Sequence, residues 1–423
     1  EGPKKASGER STSPLRFRLQ EEQRGTVLIE TRAGQVSLSE GTWSEWMVLP
    51  FELAPGTAVS GQVRFYVESA SPDRLHVYSS AVGADPANPF VVLSHPPEMA
   101  GMLQERAGRY NTVGWSEDTS ALNAELLPDG AFLEDLLRTM DQREKMAVQS
   151  VKGEDPHLLI SVWTGTDRVA HMFWRLTDPA APRYDPELAR QYGDAIDRVY
   201  DRMDVSVGEV RKYIEEDTVL IVLSDHGFHP FHRGVHLNRW LVREGYLSLK
   251  EGGSSLADAD WSRSRAYALG TGQIYLNLVG REGQGVVSFG AVREVLLAEI
   301  RKGLLALKDP DTGTRVSAEV HLGSELYSGP AMVDAPDLQI AFTSGYQASW
   351  ATRLGGVPAE LVERNAKKWS GDHAASAASD TEGVLFVNKP LVGDSPGIED
   401  LAPTLLQLFG KERPPEMDGK PIL

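Results

Sequence analysis

The stretch Leu223–Phe228 reads LSDHGF and follows the apolar run Val219–Val222. The apolar run predicts a buried strand, and Gly227 marks a turn directly after it. In open α/β sheets the chemistry lies outside the carboxyl ends of the strands. Asp225 and His226 therefore lie where a functional group is expected. A carboxylate beside an imidazole suits a divalent ion of the zinc or manganese type.

A second pair of candidate ligands lies upstream. The apolar run Leu158–Trp163 predicts another strand, and the sequence after it is typical of a helix start. Asp167 and His171 are four residues apart, so on a helix their side chains share one face. Two interpretations of this pair carry equal weight. The residues can chelate one ion, or they can form a local hydrogen bond near a helix N-terminus, where a carboxylate is favoured.

A third Asp-His pair, Asp372-His373, lies in the glycine-containing loop Trp369–Ala374, just before the strand-like run Gly383–Val387. A single histidine in a loop is more often solvated than bound to an ion. We expect Asp372 to support its neighbour or to face solvent rather than to act as a ligand. His373 becomes a candidate ligand because the two other pairs are present.

The ordered set of motifs resembles the alkaline phosphatase superfamily, and within it the type I phosphodiesterase and nucleotide pyrophosphatase branch. Asp167–Arg175 is similar to the Asp-x-x-x-His metal motif of that branch, and Ser224–Phe228 is similar to its second motif. Ile398–Leu406 resembles the end of the superfamily domain, so the resemblance spans roughly residues 94–423. Bacterial predicted phosphohydrolases or phosphomutases are the most similar group. The resemblance implies an α/β fold with a central sheet flanked by helices on both faces.

The resemblance also implies a site for two divalent ions, with zinc preferred and manganese as the alternative. Asp167, His171 and His373 would hold one ion, and Asp225 and His226 would hold the other. In the family, the second site is completed by an aspartate and by a Ser or Thr nucleophile. Zero cysteines exclude a thiolate site and a cysteine nucleophile.

The aspartate and the nucleophile normally precede the Asp-x-x-x-His motif, and nothing before Asp167 resembles them. Ser11, Thr12 and Ser13 carry hydroxyls but lie in the polar stretch Gly8–Pro14, which follows no apolar strand. The sequence also begins with a glutamate rather than methionine. We therefore expect the C-terminal part of a longer enzyme, with the nucleophile outside these 423 residues and an N-terminal segment needed to complete the site.

Three further residues, His232, Arg233 and His236, follow the second motif closely. They are interpreted either as a polar loop beside the site or as contacts to a substrate phosphate, since arginine forks onto phosphate oxygens. The predicted activity is phosphoester hydrolysis, with diesters favoured over monoesters. The alternatives are a phosphomutase of the same superfamily and a non-catalytic module that binds metal or phosphate.

Composition limits the partners. The formal charge of −17 argues against duplex nucleic acid and anionic membranes. No apolar stretch reaches 18 residues, so no transmembrane helix is expected in this region. Small-molecule, lipid and glycan phosphoesters all fit as substrates. The absence of cysteine suits either side of a bacterial membrane and does not decide the compartment. The sequence does not predict the oligomeric state.

The chain changes character near residue 90. Residues 14–82 alternate in the β manner, so an accessory β-rich insertion unit is predicted over residues 1–90. Residues 91–423 predict the catalytic domain, in which residues 260–370 form a cap-like insertion. Helical periodicity marks three stretches: Phe132–Ala147, Pro186–Glu216 and Gly290–Ala306. Strands alternate with helices beyond residue 215, which favours a doubly wound α/β domain.

Overall fold

The computed structural model describes residues 2–20, 22–154, 156–393 and 395–423. Its internal contacts divide the chain into two compact units. Unit 1 comprises Glu1–Pro179, Tyr184–Ile214 and Lys367–Trp369, and unit 2 comprises Ala180–Arg183, Glu215–Ala366 and Ser370–Leu423. The predicted domain boundary near residue 90 stays a prediction, although secondary structure changes there from strands to helices.

The first part of unit 1 consists of antiparallel strands in small sheets, ordered β1-β2-β3, β4-β5-β8 and β6-β7. Their bounds are β1 Arg16–Leu19, β2 Thr26–Thr31, β3 Gly34–Ser39, β4 Met47–Ala54, β5 Thr57–Val63, β6 Phe65–Ala70, β7 Leu75–Ser79 and β8 Gly83–Ala84. Alternating side chains of these strands fill one core, which includes Ile29, Phe51 and Phe65. This alternation is the period that the sequence shows.

The second part of unit 1 is helical. Its helices are α1 Met99–Ala107, α2 Thr119–Asn123, α3 Asp129–Glu154, α4 Gly165–Thr177, α5 Pro186–Tyr192 and α6 Ala195–Arg211. Helices α3, α4 and α6 place apolar residues every three or four positions, and these residues form a second core around Leu136, Phe173 and Val199. The predicted helix Phe132–Ala147 lies within α3, whereas Pro186–Glu216 is divided between α5 and α6.

Unit 2 carries the remaining strands, β9 Ile221–Leu223, β10 His229–Val235, β11 Ala266–Leu269, β12 Gln273–Leu276, β13 Ser317–Leu322, β14 Leu338–Phe342, β15 Gly345–Ala348, β16 Val362–Arg364, β17 Gly371–Asp372 and β18 Leu385–Val387. Strand β10 pairs parallel with β15 and antiparallel with β16 and β17. Strands β11-β12-β14-β13 form an antiparallel sheet, and β9 pairs antiparallel with β18.

The helices of unit 2 are α7 Leu237–Arg243, α8 Ala291–Ala306, α9 Gly323–Leu326, α10 Trp350–Arg353 and α11 Leu401–Leu408. Helix α8 starts and ends close to its predicted bounds. Its buried residues Leu297, Ile300 and Leu304 contribute to a core that also includes Ile274 and Ile340 from the sheet β11-β12-β14-β13. No helix among the described residues is long and apolar enough to cross a membrane.

The predicted mixed α/β class is confirmed. The observed helices and sheets are consistent with the predicted alkaline phosphatase-like fold. The predicted strand Leu158–Trp163 is wrong, because this run has no regular secondary structure. A strand needs a neighbour for its N–H and C=O groups, and no described residue pairs with this run as a strand. Side chains within the run are also exposed, with Ile160 at 71% and Val162 at 67%.

Candidate metal centre

Helix α4 presents Asp167 and His171 on one face in unit 1. The other face of α4, which includes Val169 and Phe173, is buried in the core. This packing fixes the rotation of the helix about its axis. Asp167 lies in the first turn, where the helix dipole favours a carboxylate. The Oδ1 atom of Asp167 lies 3.4 Å from Nε2 of His171, so both donors point to one place, as the spacing predicted.

The His171 imidazole is 2% exposed and packs on the indole of Trp369, with 3.6 Å between the ring centroids. Trp369 is anchored in turn, because its backbone N–H donates to Asn123 Oδ1 at 3.2 Å. The neighbouring Lys368 donates to the buried carboxylate of Asp129 at 2.8 Å. These contacts hold the imidazole in a fixed orientation, which is what a metal ligand requires.

Arg168 balances the charge of Asp167 by donating to its carboxylate. The Arg168 guanidinium also lies 3.5 Å from the ring centroid of Trp115 and 3.8 Å from the Glu117 carboxylate. Burial raises the pKa of Glu117 above its usual range. Arg168 therefore lies between two carboxylates, those of Asp167 and Glu117. Its contact with Asp167 holds that carboxylate in position beside His171.

In unit 2, β9 leads directly into Asp225 and His226. Gly227 allows this approach, because a Cβ atom there would lie 2.6 Å from the carbonyl oxygen of Glu382. Gly383 has the same role, since its Cβ would lie 2.5 Å from the carbonyl oxygen of Ser224. The two glycines let the backbones meet at the end of β9, which is the edge where the sequence places the pair.

The His226 ring is oriented by its own loop. Its Nδ1 atom lies 3.0 Å from the carbonyl oxygen of Gly227, and a carbonyl can only accept. In the neutral imidazole, Nδ1 therefore carries the proton and Nε2 carries the lone pair. Nε2 lies 3.6 Å from Oδ1 of Asp225, so two electron-pair donors face the same space. This donor chemistry fits a divalent ion of the zinc type.

His373 follows β17 in the same unit, and its ring stacks on that of His226 at 3.5 Å between centroids and 8° between planes. Phe228 contacts the His373 ring edge to face, with centroids 5.1 Å apart. The Asp372 carboxylate accepts from the backbone N–H groups of His373 at 2.8 Å and Ala374 at 3.1 Å. Unit 2 thus brings Asp225, His226 and His373 into one neighbourhood.

The three residues predicted as substrate contacts lie on or next to β10. Arg233 pairs with Asp309 and Asp311, so a phosphate would compete with these carboxylates for its guanidinium. His236 is 1% exposed, with Nε2 3.6 Å from a Glu363 oxygen. His232 is partly buried on β10 itself. Their contact with substrate stays a prediction.

Sequence reasoning missed several residues that support the ligands. One is Trp369, which packs on His171. Another is Arg353, which donates to Asp372 at 2.9 Å, and Asp372 is 2% exposed. A third is His229, which is buried on β10. Among these supporting contacts, only that of Asp372 had a signal in the sequence. An Asp in a loop commonly accepts hydrogen bonds from backbone N–H groups that follow it.

A family model described as type I phosphodiesterase / nucleotide pyrophosphatase matches residues 62–363. This match covers more than half of the 423 residues. The chain belongs to this family. The predicted family and its place in the alkaline phosphatase superfamily are therefore confirmed. A search of curated proteins gives no significant match.

The family depends on divalent metals, and membership in it supports a phosphoester hydrolase. The family match includes Asp167, His171, Asp225 and His226, whereas His373 lies beyond its end. It also begins earlier than the resemblance suggested, within the β-rich part. The carboxylate and imidazole donors of the matched region fit the metal dependence of the family.

Proposed function

We propose that this chain is the metal-binding part of a phosphodiesterase that uses two divalent cations, with zinc preferred over manganese. One ion would be held by Asp167, His171 and His373, and the other by Asp225 and His226. The observation that carries the proposal is the orientation of the donors in each unit, with Asp167 Oδ1 3.4 Å from His171 Nε2 and Asp225 Oδ1 3.6 Å from His226 Nε2. Imidazole with carboxylate is a donor set that favours zinc over calcium.

Bound divalent ions lower the pKa of an attacking hydroxyl and stabilise negative charge on the ester oxygens. The residues of this chain would bind and orient these ions. In its neutral form, the His226 ring presents the Nε2 lone pair, because Nδ1 faces the Gly227 carbonyl. Trp369 keeps His171 from rotating, and Asp372 fixes the backbone that carries His373.

We further propose that the nucleophile lies in a segment outside these 423 residues. Ser11 is a poor alternative, because its side chain is 0% exposed and its hydroxyl donates to the Pro3 carbonyl. Each unit also exposes apolar side chains where another strand would bury them, including Ile160 in unit 1 and Phe386 of β18 at 65%. An isolated apolar run and a two-stranded ribbon are both marginal by themselves. Each would gain stability from pairing with an additional strand.

Zinc titration of this chain by calorimetry tests the proposal. His171→Ala removes one donor of the Asp167 site and is expected to weaken zinc binding strongly. His157→Ala is the matched control, because it removes an exposed histidine of the same unit. Equal zinc affinity in the wild type and His171→Ala would contradict the assignment.

A further inference from the structure

The loop Gly371–Ala377 carries His373 and contains little regular structure beyond the short strand β17. The Asp372 carboxylate fixes the part of the loop before Ala375, because it accepts hydrogen bonds from the backbone N–H groups of His373 and Ala374. Ala375 itself has a φ of +52°, a left-handed conformation that costs free energy in a residue with a Cβ atom. Such a conformation persists when surrounding contacts hold it in place. One such contact is the hydrogen bond from the Phe342 N–H to the Ala375 carbonyl at 2.8 Å. The neighbouring Ser376 provides others.

Ser376 is bound to the buried side chain of His229. Its Oγ atom lies 2.5 Å from Nε2 of His229 and 3.1 Å from the carbonyl oxygen of His373. His229 is 3% exposed and belongs to β10, whose backbone also pairs with β17. The hydroxyl therefore connects the loop to the most internal strand of its sheet.

The protonation of His229 follows from its partners. Nδ1 lies 2.8 Å from the carbonyl oxygen of Pro230, so Nδ1 must carry the hydrogen. Burial lowers the pKa of His229 below its usual range, which keeps the ring neutral. Nε2 is then an acceptor. A hydroxyl oxygen 2.5 Å away would repel it unless the hydroxyl hydrogen lies between them, so Ser376 donates to His229. The same hydrogen is shared with the weaker acceptor, the His373 carbonyl oxygen, at 3.1 Å.

Gln347 of β15 completes the network. Its Nε2 atom lies 3.3 Å from Ser376 Oγ and 3.0 Å from His229 Nε2, and its residue is 0% exposed. Because the serine hydrogen is directed to His229, the serine oxygen can accept from the amide. The hydrogen bonds therefore run from Gln347 to Ser376 and from Ser376 to His229.

We propose that His229, acting through Ser376, is a positioning residue that holds the His373 imidazole against His226. The part of this inference that concerns metal affinity rests on the proposed function, since it takes His373 as a ligand. The part that concerns the ring arrangement does not. Partners that orient metal ligands typically change metal affinity about 10- to 100-fold when they are removed.

The test compares Ser376→Ala with Ser376→Thr in the full 423-residue chain. Alanine removes the hydroxyl, whereas threonine keeps it and suits the extended backbone of a residue that forms a β-bridge with Phe342. Ser264→Ala is the matched control, because it removes another buried serine hydroxyl of unit 2, one bonded to Ser248 and Asp260.

The first readout needs no metal. The imidazole carbons of the ten histidines are labelled, and the signals of His226 and His373 are followed by NMR. Ser376→Ala is expected to shift or broaden both signals, because their stacked rings sense each other. Ser376→Thr and Ser264→Ala are expected to leave them in place. Unchanged signals in Ser376→Ala would overturn the inference.

The second readout is the affinity for zinc. Ser376→Ala is expected to bind about 10- to 100-fold more weakly than the wild type, with recovery in Ser376→Thr. Affinity equal to that of the wild type would overturn the link from His229 to the ion. If the wild-type chain binds no zinc, the proposed function fails, and the NMR comparison still decides whether His229 positions His373.

Discussion

At the scale of single residues, backbone carbonyls and neighbouring rings orient the candidate imidazoles. His226 donates to the Gly227 carbonyl, and His171 packs on Trp369. The Asp-His spacing predicted which residues could be ligands. It could not predict Trp369 as a partner of His171, because the two residues are 198 positions apart in the sequence and only the folded chain brings them together.

Asp225→Asn tests the role of the second carboxylate in the complete enzyme. We expect phosphodiester hydrolysis to fall about 100-fold or more, because metal ions supply several kcal/mol of transition-state stabilisation and each 1.4 kcal/mol is about tenfold in rate. Asp217→Asn is the control, since it neutralises an exposed aspartate just before β9. The two kcat/KM values are measured under saturating zinc. Activity of the Asp225 variant within a factor of two of the control would exclude Asp225 as a ligand.

The burial of His236 leads to a prediction of how the free energy of unfolding depends on pH. Burial lowers the pKa of His236 despite the nearby Glu363, so the folded ring stays neutral at a pH where the unfolded ring binds a proton. The free energy of unfolding therefore decreases as the pH falls through about 6.5, the ordinary histidine value, and levels off below the folded pKa. His236→Gln removes this contribution and is expected to flatten the decrease.

Urea unfolding at several pH values between 7.5 and 5 measures this slope. His321→Gln is the control, because it replaces a partly exposed histidine of the same unit. A slope in His236→Gln that equals the wild-type slope would mean that His236 is not neutral in the folded chain.

At the scale of elements, the periodic helices were predictable and the site edge was only partly so. Helix α8 follows from its apolar spacing, because a helix that covers a sheet needs one apolar stripe. The run Leu158–Trp163 was predicted as a strand and is none, because apolar composition does not supply a hydrogen-bonding neighbour. The sequence placed Gly227 in a turn, but the close approach of Glu382 is visible only in the folded chain.

Gly227→Ala tests this close approach. The added Cβ would lie 2.6 Å from a backbone oxygen that cannot rotate away. We expect a loss of about 1–3 kcal/mol in the free energy of unfolding, the usual cost of overpacking. Gly208→Ala is the contrasting variant, because Gly208 lies in the exposed interior of α6 with open space around its Cβ position. It should stabilise by about 0.5–1 kcal/mol. Equal effects of the two changes would contradict the steric argument.

At the scale of the whole molecule, the chain combines two compact units, a strongly negative charge and exposed apolar side chains in each unit. The charge of −17 repels phosphate esters over long distances, so their binding has to depend on local cations. The motifs predicted the family because ligand spacing is local in sequence. They could not predict which strands stay unpaired, because pairing depends on segments far apart in the chain.

Ile160→Ser and Val162→Ser together test whether the exposed run in unit 1 contacts another segment. Both side chains are already exposed, so we expect the free energy of unfolding of this chain to change by less than about 0.5 kcal/mol. Recovery of hydrolysis on mixing with a polypeptide that carries the nucleophile should nevertheless decrease. Val92→Ser is the control, at 88% exposure elsewhere in the unit. If hydrolysis recovered as fully as in the control, the run that includes Ile160 and Val162 would not be the contact with the other polypeptide.

Anomalous diffraction at the zinc edge, from crystals of this chain grown with zinc, tests the central claim most directly. We predict an anomalous peak about 2.0–2.2 Å from donor atoms of Asp167, His171 and His373, the usual distance for zinc with nitrogen or oxygen ligands. The His171→Ala variant should lose that peak under the same conditions. Zinc bound elsewhere, with no peak at these three residues in the wild type, would contradict the account of a metal-dependent phosphodiesterase site built from these ligands.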